Sequence, residues 1–179
     1  MFGSPDAPPL SATQIAAIVA VILGIAFLAW LLLKDGGDEQ TAKEVSVQEL
    51  QDAAGSQDQP VFWAGPQTGS KYELTETADG SVFVRYLTGD AEAGDPSPSY
   101  LTVATYPLPN GYARVVAASR REGAEARRIR RGGLAVFDPD RPSSVYLAHP
   151  RGRYQVEVYH PSPNRARDLV LSGAIEQVR

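Results

Sequence analysis

Apolar residues follow three patterns along this chain, and each predicts a different kind of element. From Ile15 to Leu33 the run IAAIVAVILGIAFLAWLLL holds nineteen residues with no charge and no strongly polar side chain. At about 1.5 Å per residue it reaches about 28 Å, close to the hydrocarbon thickness of a bilayer. Such a run must satisfy its own backbone, so it predicts a membrane-spanning helix. Ser11 stands where an N-cap belongs, Trp30 and Lys34 where interfacial anchors belong. The preceding residues 1–14 read as a polar tail without the lysine or arginine of a signal peptide. Ala16, Ala20 and Gly24 recur every fourth residue and form a candidate helix-dimer face. Residues 34–45 (KDGGDEQTAKEV) are polar, acidic and glycine-containing, and read as a flexible tether.

The second pattern has helical period. Ser46 and Glu49 form a capping-box pair ahead of Val47, Leu50 and Ala54, and Gly55 is a natural stop. Asn110 precedes Tyr112, Val115 and Val116, with Gly123 beyond. Ser162-Pro163 opens a third helix carrying Ala166, Leu169 and Val170, closed by Gly173. The third pattern alternates: 61–64, 71–77, 81–87, 100–106, 126–130, 134–137, 144–148, 154–159 and 174–178 predict short strands. Asp79-Gly80 predicts a tight hairpin of type I′, with Tyr72 and Leu74 facing the same way as Val82, Val84 and Tyr86. The stretch 88–99 (TGDAEAGDPSPS) predicts a mobile loop. Strands with few helices indicate an α+β domain of antiparallel sheet over residues 46–179, with about three short helices. The order helix, four strands, helix, four strands, helix hints at an internal duplication.

Four strings are familiar together: VFWAGP at 61–66, YELTETADGSVFVRYL at 72–87, LTVATYPLPNGYA at 101–113 and YQVEVYHPSPNRARDLV at 154–170. They resemble a group of small, uncharacterised, membrane-anchored proteins of high-GC actinobacterial type. The resemblance implies that anchor, tether and domain form one unit, and implies no activity, ligand or catalytic residue.

Composition narrows the chemistry. No cysteine occurs, which excludes disulfides, thiolate metal sites and a Cys nucleophile. The net charge of −4 hides an asymmetry: residues 101–179 hold thirteen arginines against seven acids. Six of those, Arg120, Arg121, Arg127, Arg128, Arg130 and Arg131, fall within twelve residues and are the candidate site for an anionic surface, either lipid or envelope polymer. Glu122 and Glu125 interrupt the run and aromatics are few nearby, so nucleic acid is not the expected partner.

Other motifs point away from chemistry. AGPQTGSK at 64–71 is one residue short of a phosphate loop, reverses its Lys-Ser order and precedes a strand. Asp138-Pro139-Asp140 reads as a strand-ending turn, and Asp90, Glu92 and Asp95 lack the spacing of a calcium loop. His149 and His160 each precede proline and have no motif partner. The expectation is therefore a single-pass, membrane-anchored, non-catalytic binding module at the cell envelope, without cofactor or metal, its domain outside. The alternatives are a membrane-tethered hydrolase using His149 or His160, and a tethered regulator facing the cytoplasm.

Overall fold

The computed structural model describes residues 42–179. The run 15–33, with Ala16, Ala20 and Gly24, lies outside the described residues. Among the described residues no helix is long and apolar enough to cross a membrane. The fold expected above is corrected accordingly. It is a mostly antiparallel β domain with three helices of eight to ten residues, each half-buried on one side and too short to span a bilayer.

Eight strands form the main sheet: β1 (Lys43–Val45), β3 (Ser70–Glu76), β4 (Val82–Thr88), β5 (Leu101–Pro107), β6 (Glu125–Arg128), β7 (Leu134–Phe137), β8 (Ser144–Ala148) and β9 (Tyr154–Tyr159). Their order across it is β1-β3-β4-β5-β9-β8-β7-β6, and every pairing is antiparallel. Each half is thus a four-stranded meander read inward from its edge. The two halves meet at the β5–β9 pair, where Val103 lies opposite Val158. Helix α2 (Gly111–Ala118) follows the first half, and α3 (Pro163–Ser172) the second. Strand order therefore has a two-fold character, but the fourth strand of the first half is β1, formed by Lys43–Val45 in the run expected to be a flexible tether, and not the expected 61–64 strand. The first half differs by an insertion after β1, made of α1 (Val47–Gly55) and β2 (Phe62–Trp63).

Two of the three helix starts follow local chemistry, while Asn110 ahead of α2 makes no side-chain cap hydrogen bond. Ser46 Oγ accepts from the Glu49 N–H at 3.2 Å while Glu49 takes the Ser46 N–H at 2.7 Å, so the capping box satisfies two orphan donors. Pro163 occupies the first turn of α3, where no N–H is needed, and Gly173 ends it in the left-handed conformation.

Strand alternation divides the core between two faces. On the first face lie Tyr72, Leu74, Val82, Val84, Tyr86, Leu101, Val103, Val145, Leu147, Val156 and Val158. They are covered by Leu50 of α1, by Ala166 and Val170 of α3, and by a ribbon of β2 with β10 (Glu176–Gln177). The VFWA run is therefore a lid strand across the sheet, tied to it by Phe62 N–H to Thr105 Oγ1 at 3.1 Å and Ala64 N–H to Tyr86 Oη at 2.6 Å. The second face is covered by α2 over the second half and by residues 89–100 over the first.

That last segment differs from the mobile loop expected. Arg85 and Glu73, both fully buried on the second face, form a two-point ion pair at 2.9 and 3.1 Å. The same guanidinium donates to the carbonyls of Asp95 and Ser97, and Glu73 accepts from the Gly94 N–H. Tyr159 Oη donates to the Pro98 carbonyl. Alternation marked positions 73 and 85 as polar, but only pairing of β3 with β4 sets them opposite one another.

The hairpin at 77–81 is present with the expected facing, Tyr72 against Tyr86 and Leu74 against Val84. Its turn is one residue longer than type I′. Gly80 N–H donates to Thr77 O, Thr77 N–H to Ser81 O, and Gly80 takes φ 80° after the turn.

Candidate functional site

Register decides where the arginines go. β5, β6 and β8 end, and β7 and β9 begin, at one end of the sheet: Pro107 faces Tyr154, and Leu134 faces both Arg128 and Ala148. The segments gathered there, 107–114, 128–133 and 149–153, hold Arg114, Arg128, Arg130, Arg131, Arg151 and Arg153 and no carboxylate of their own, while the β3–β4 turn at the same end, where Val82 pairs with Thr105, carries Asp79. The opposite end gathers 89–100, 119–124 and 138–143, with six acids against three arginines.

The six arginines of the 120–131 run are consequently not one patch. Strand β6 carries the chain from one end to the other between them. Arg120 and Arg121 lie at the acidic end, and Arg121 Nη1 binds Asp138 Oδ2 at 2.8 Å. Arg127 shares Glu125 with Arg167, at 2.5 and 2.6 Å, and the hydrogen bond from Arg167 with both cations holds that carboxyl below its usual range. Arg130 runs beside the C-terminus of α3, where a side chain at Gly173 would stand 3.4 Å from its Cδ. A cation there complements the helix dipole. Arg128 and Arg131 remain exposed, and no carboxylate pairs with either among the described residues.

The fold adds arginines that the sequence did not join to the run. Arg151 and Arg153 sit in the β8–β9 turn, and Arg114 opens α2; all three are exposed. The β6–β7 and β8–β9 turns touch. A side chain at Gly132 would stand 3.7 Å from Pro150 Cγ, and one at Gly133 2.9 Å from His149 Cδ2. Beneath them Phe62, His149 and Tyr154 form an aromatic cluster, with Phe62 and His149 rings stacked at 6.0 Å and Tyr154 Oη 3.4 Å from His149 Nδ1. The absence of any acid in 128–133 and 149–153 was a signal available in the sequence, but nothing there put the two segments side by side.

Both histidines are turn residues. His149 precedes β9 and His160 follows it, so the six residues of that strand, at about 3.3 Å each, separate them. Burial and a neighbouring arginine, Arg131 for one and Arg165 for the other, hold both rings below the ordinary histidine range. His160 Nδ1 accepts from the Ser162 N–H. Asp138-Pro139-Asp140 is a turn in which Asp138 Oδ1 accepts from the Asp140 N–H, and Asp95 is bound to Tyr100 and to the Ser97 N–H. Among the described residues no group of three or more His, Asp or Glu is placed to hold a metal ion.

One buried titratable group escaped the sequence reading. Glu157, on the second face of β9, is fully buried, and Tyr106 Oη donates to it at 2.8 Å. Burial pushes its carboxyl up, against the lowering effect of hydrogen bonds from Ser144, Tyr106 and Tyr146 and of the charge of Arg141. Alternation in YQVEVY does not distinguish it from a solvent-facing residue.

Compared with known proteins, the chain matches no family model, no curated protein and no solved structure.

Proposed function

We propose that this protein is a non-catalytic binding module, and that the arginine end of its sheet takes a phosphate-bearing polyanion. The reading is supported by one observation above the others: three segments distant in sequence, holding no carboxylate themselves, bring six arginines to one end of the sheet, where the β3–β4 turn adds Asp79, in a chain whose net charge is negative. Guanidinium forks match phosphate oxygens in pairs. At physiological salt such a field reaches about 8 Å, so it acts on a partner already in contact. Each arginine against an anionic surface contributes about 1 kcal/mol.

The test measures binding of the full chain to inorganic tripolyphosphate and, separately, to vesicles of phosphatidylglycerol with phosphatidylcholine. The two arms distinguish a soluble phosphate from a lipid headgroup. Binding is expected in the micromolar-or-weaker range at low salt and to vanish as salt rises. Changing Arg128, Arg131, Arg151 and Arg153 together to Gln removes it and leaves the melting temperature unchanged. Absence of binding in both arms, or wild-type binding by the quadruple variant, overturns the reading.

A further inference from the structure

We propose that the two arginine–glycine tips of this end, Arg131-Gly132 and Arg151-Gly152, form a single clamp for one phosphate group. The inference rests on the reading above and narrows it from a charged surface to a site.

Backbone conformation carries the argument. Ten described residues have φ in the left-handed region. Eight are glycines, the residue that adopts it without strain. The other two are Arg131, at φ 56°, and Arg151, at φ 64°. A side chain there is held against a preference for the right-handed or extended regions, and such strain concentrates where function needs a particular side chain. Both exceptions carry the same side chain. They occupy adjoining turns, each followed by a glycine, and Gly132 is itself left-handed at φ 72°. A turn selected only to reverse the chain would place glycine at 131 and 151, as it does at Gly80 and Gly123.

The surroundings suit an anion. Neither arginine has a carboxylate partner among the described residues, and both are exposed. The rigid support is the Phe62–His149–Tyr154 cluster, which fixes the base of both turns. Guanidinium groups on two adjoining tips supply the paired N–H donors that phosphate oxygens accept. A strained guanidinium serves a fork; a surface that needed only charge is served equally by lysine in a relaxed turn.

The strain makes the proposal testable, because glycine at either position relieves it. The full-chain variant R131G/R151G is expected to melt about 2–4 °C higher than wild type, while its affinity for tripolyphosphate falls at least tenfold. R131K/R151K keeps both charges and loses the forks, and is expected to bind several-fold more weakly than wild type at equal salt. R114Q/R128Q, which removes as much charge as the glycine pair does, should weaken binding no more than a few-fold. If R131G/R151G or R131K/R151K binds tripolyphosphate as wild type does while the quadruple glutamine variant fails, the clamp is wrong and the basic end stands. If R114Q/R128Q weakens binding as much as R131G/R151G, charge alone acts and the clamp is wrong. If wild type binds the vesicles but not tripolyphosphate, the clamp is wrong and the basic end stands; if it binds neither, the basic-end reading fails and takes the clamp with it.

Discussion

The two halves of the second sheet face are closed by different chemistry. Over β3 and β4 the lid is an irregular segment, residues 89–100, held by a buried ion pair: Arg85 reaches from Glu73 to the carbonyls of Asp95 and Ser97. Over β7, β8 and β9 the lid is a helix held by apolar contact. Val115 of α2 packs on Val136 and Ala148, and Gly111 lies so close to β9 that a side chain there would come within 2.1 Å of the Tyr154 carbonyl. A helix brings its own hydrogen bonds and needs only shape from the sheet. A segment without regular structure needs partners for its backbone, and a buried guanidinium with a carboxylate supplies several at once. Between the lids, the buried Glu157 is held by hydroxyls of Ser144, Tyr106 and Tyr146 with the charge of Arg141 nearby.

This contrast can be broken from either side. The largest effect is expected from Arg85→Ala, which leaves Glu73 buried without its cation and the lid carbonyls without a donor. Removing one partner of a buried pair costs about 3–5 kcal/mol. Chemical denaturation should read that loss, and limited proteolysis should cut within 89–100 before the rest of the chain. A resistant lid would mean that the segment holds itself. On the helical side, Gly111→Ala forces the first turn of α2 away from a backbone carbonyl that cannot swing aside. A loss of about 3 kcal/mol is expected, with α2 amides exchanging faster in hydrogen-exchange measurements while 89–100 stays protected.

Glu157 sharpens the comparison through pH. Its carboxyl titrates higher in the fold than in the unfolded chain, so the fold favours the protonated form. The stability this gives is complete below the unfolded value of about 4.3 and is lost as pH rises through the folded value. Glu157→Gln keeps the shape and removes the charge. Its advantage in melting temperature over wild type should therefore widen from pH 4 toward neutrality; a constant difference would mean that the fold holds Glu157 ionised. The smallest effect concerns the hairpin that leads into β4. A side chain at Gly80 has room, with Pro107 Cγ at 3.7 Å, so Gly80→Val tests the left-handed backbone almost alone. A loss of about 1 kcal/mol or more is expected in thermal melts.

Local chemistry was legible in the sequence because it acts over a few residues. The capping box at Ser46, the proline start and glycine stop of α3, and the facing of Tyr72 and Leu74 with Val82–Tyr86 all follow from period, caps and one turn signal. Charge was legible as a number but not as a place. The arginine run between 120 and 131 reads as one patch along the chain, yet β6 divides it, sending Arg121 to Asp138 and Arg131 to the far end. Alternation likewise cannot separate a polar face from a second buried one. Burial of Glu73 and Arg85 follows from the 89–100 segment set over them, and burial of Glu157 from Tyr106, Ser144 and Tyr146 around it. The sequence by itself determined the three helices, most strands and the capping box of α1, since those depend on neighbours within a turn or two, whereas β1 forms only because β3 is there to pair with it. Tertiary structure alone decided which charges meet, because strand register brings together residues such as Arg131 and Arg151 that no local interaction connects.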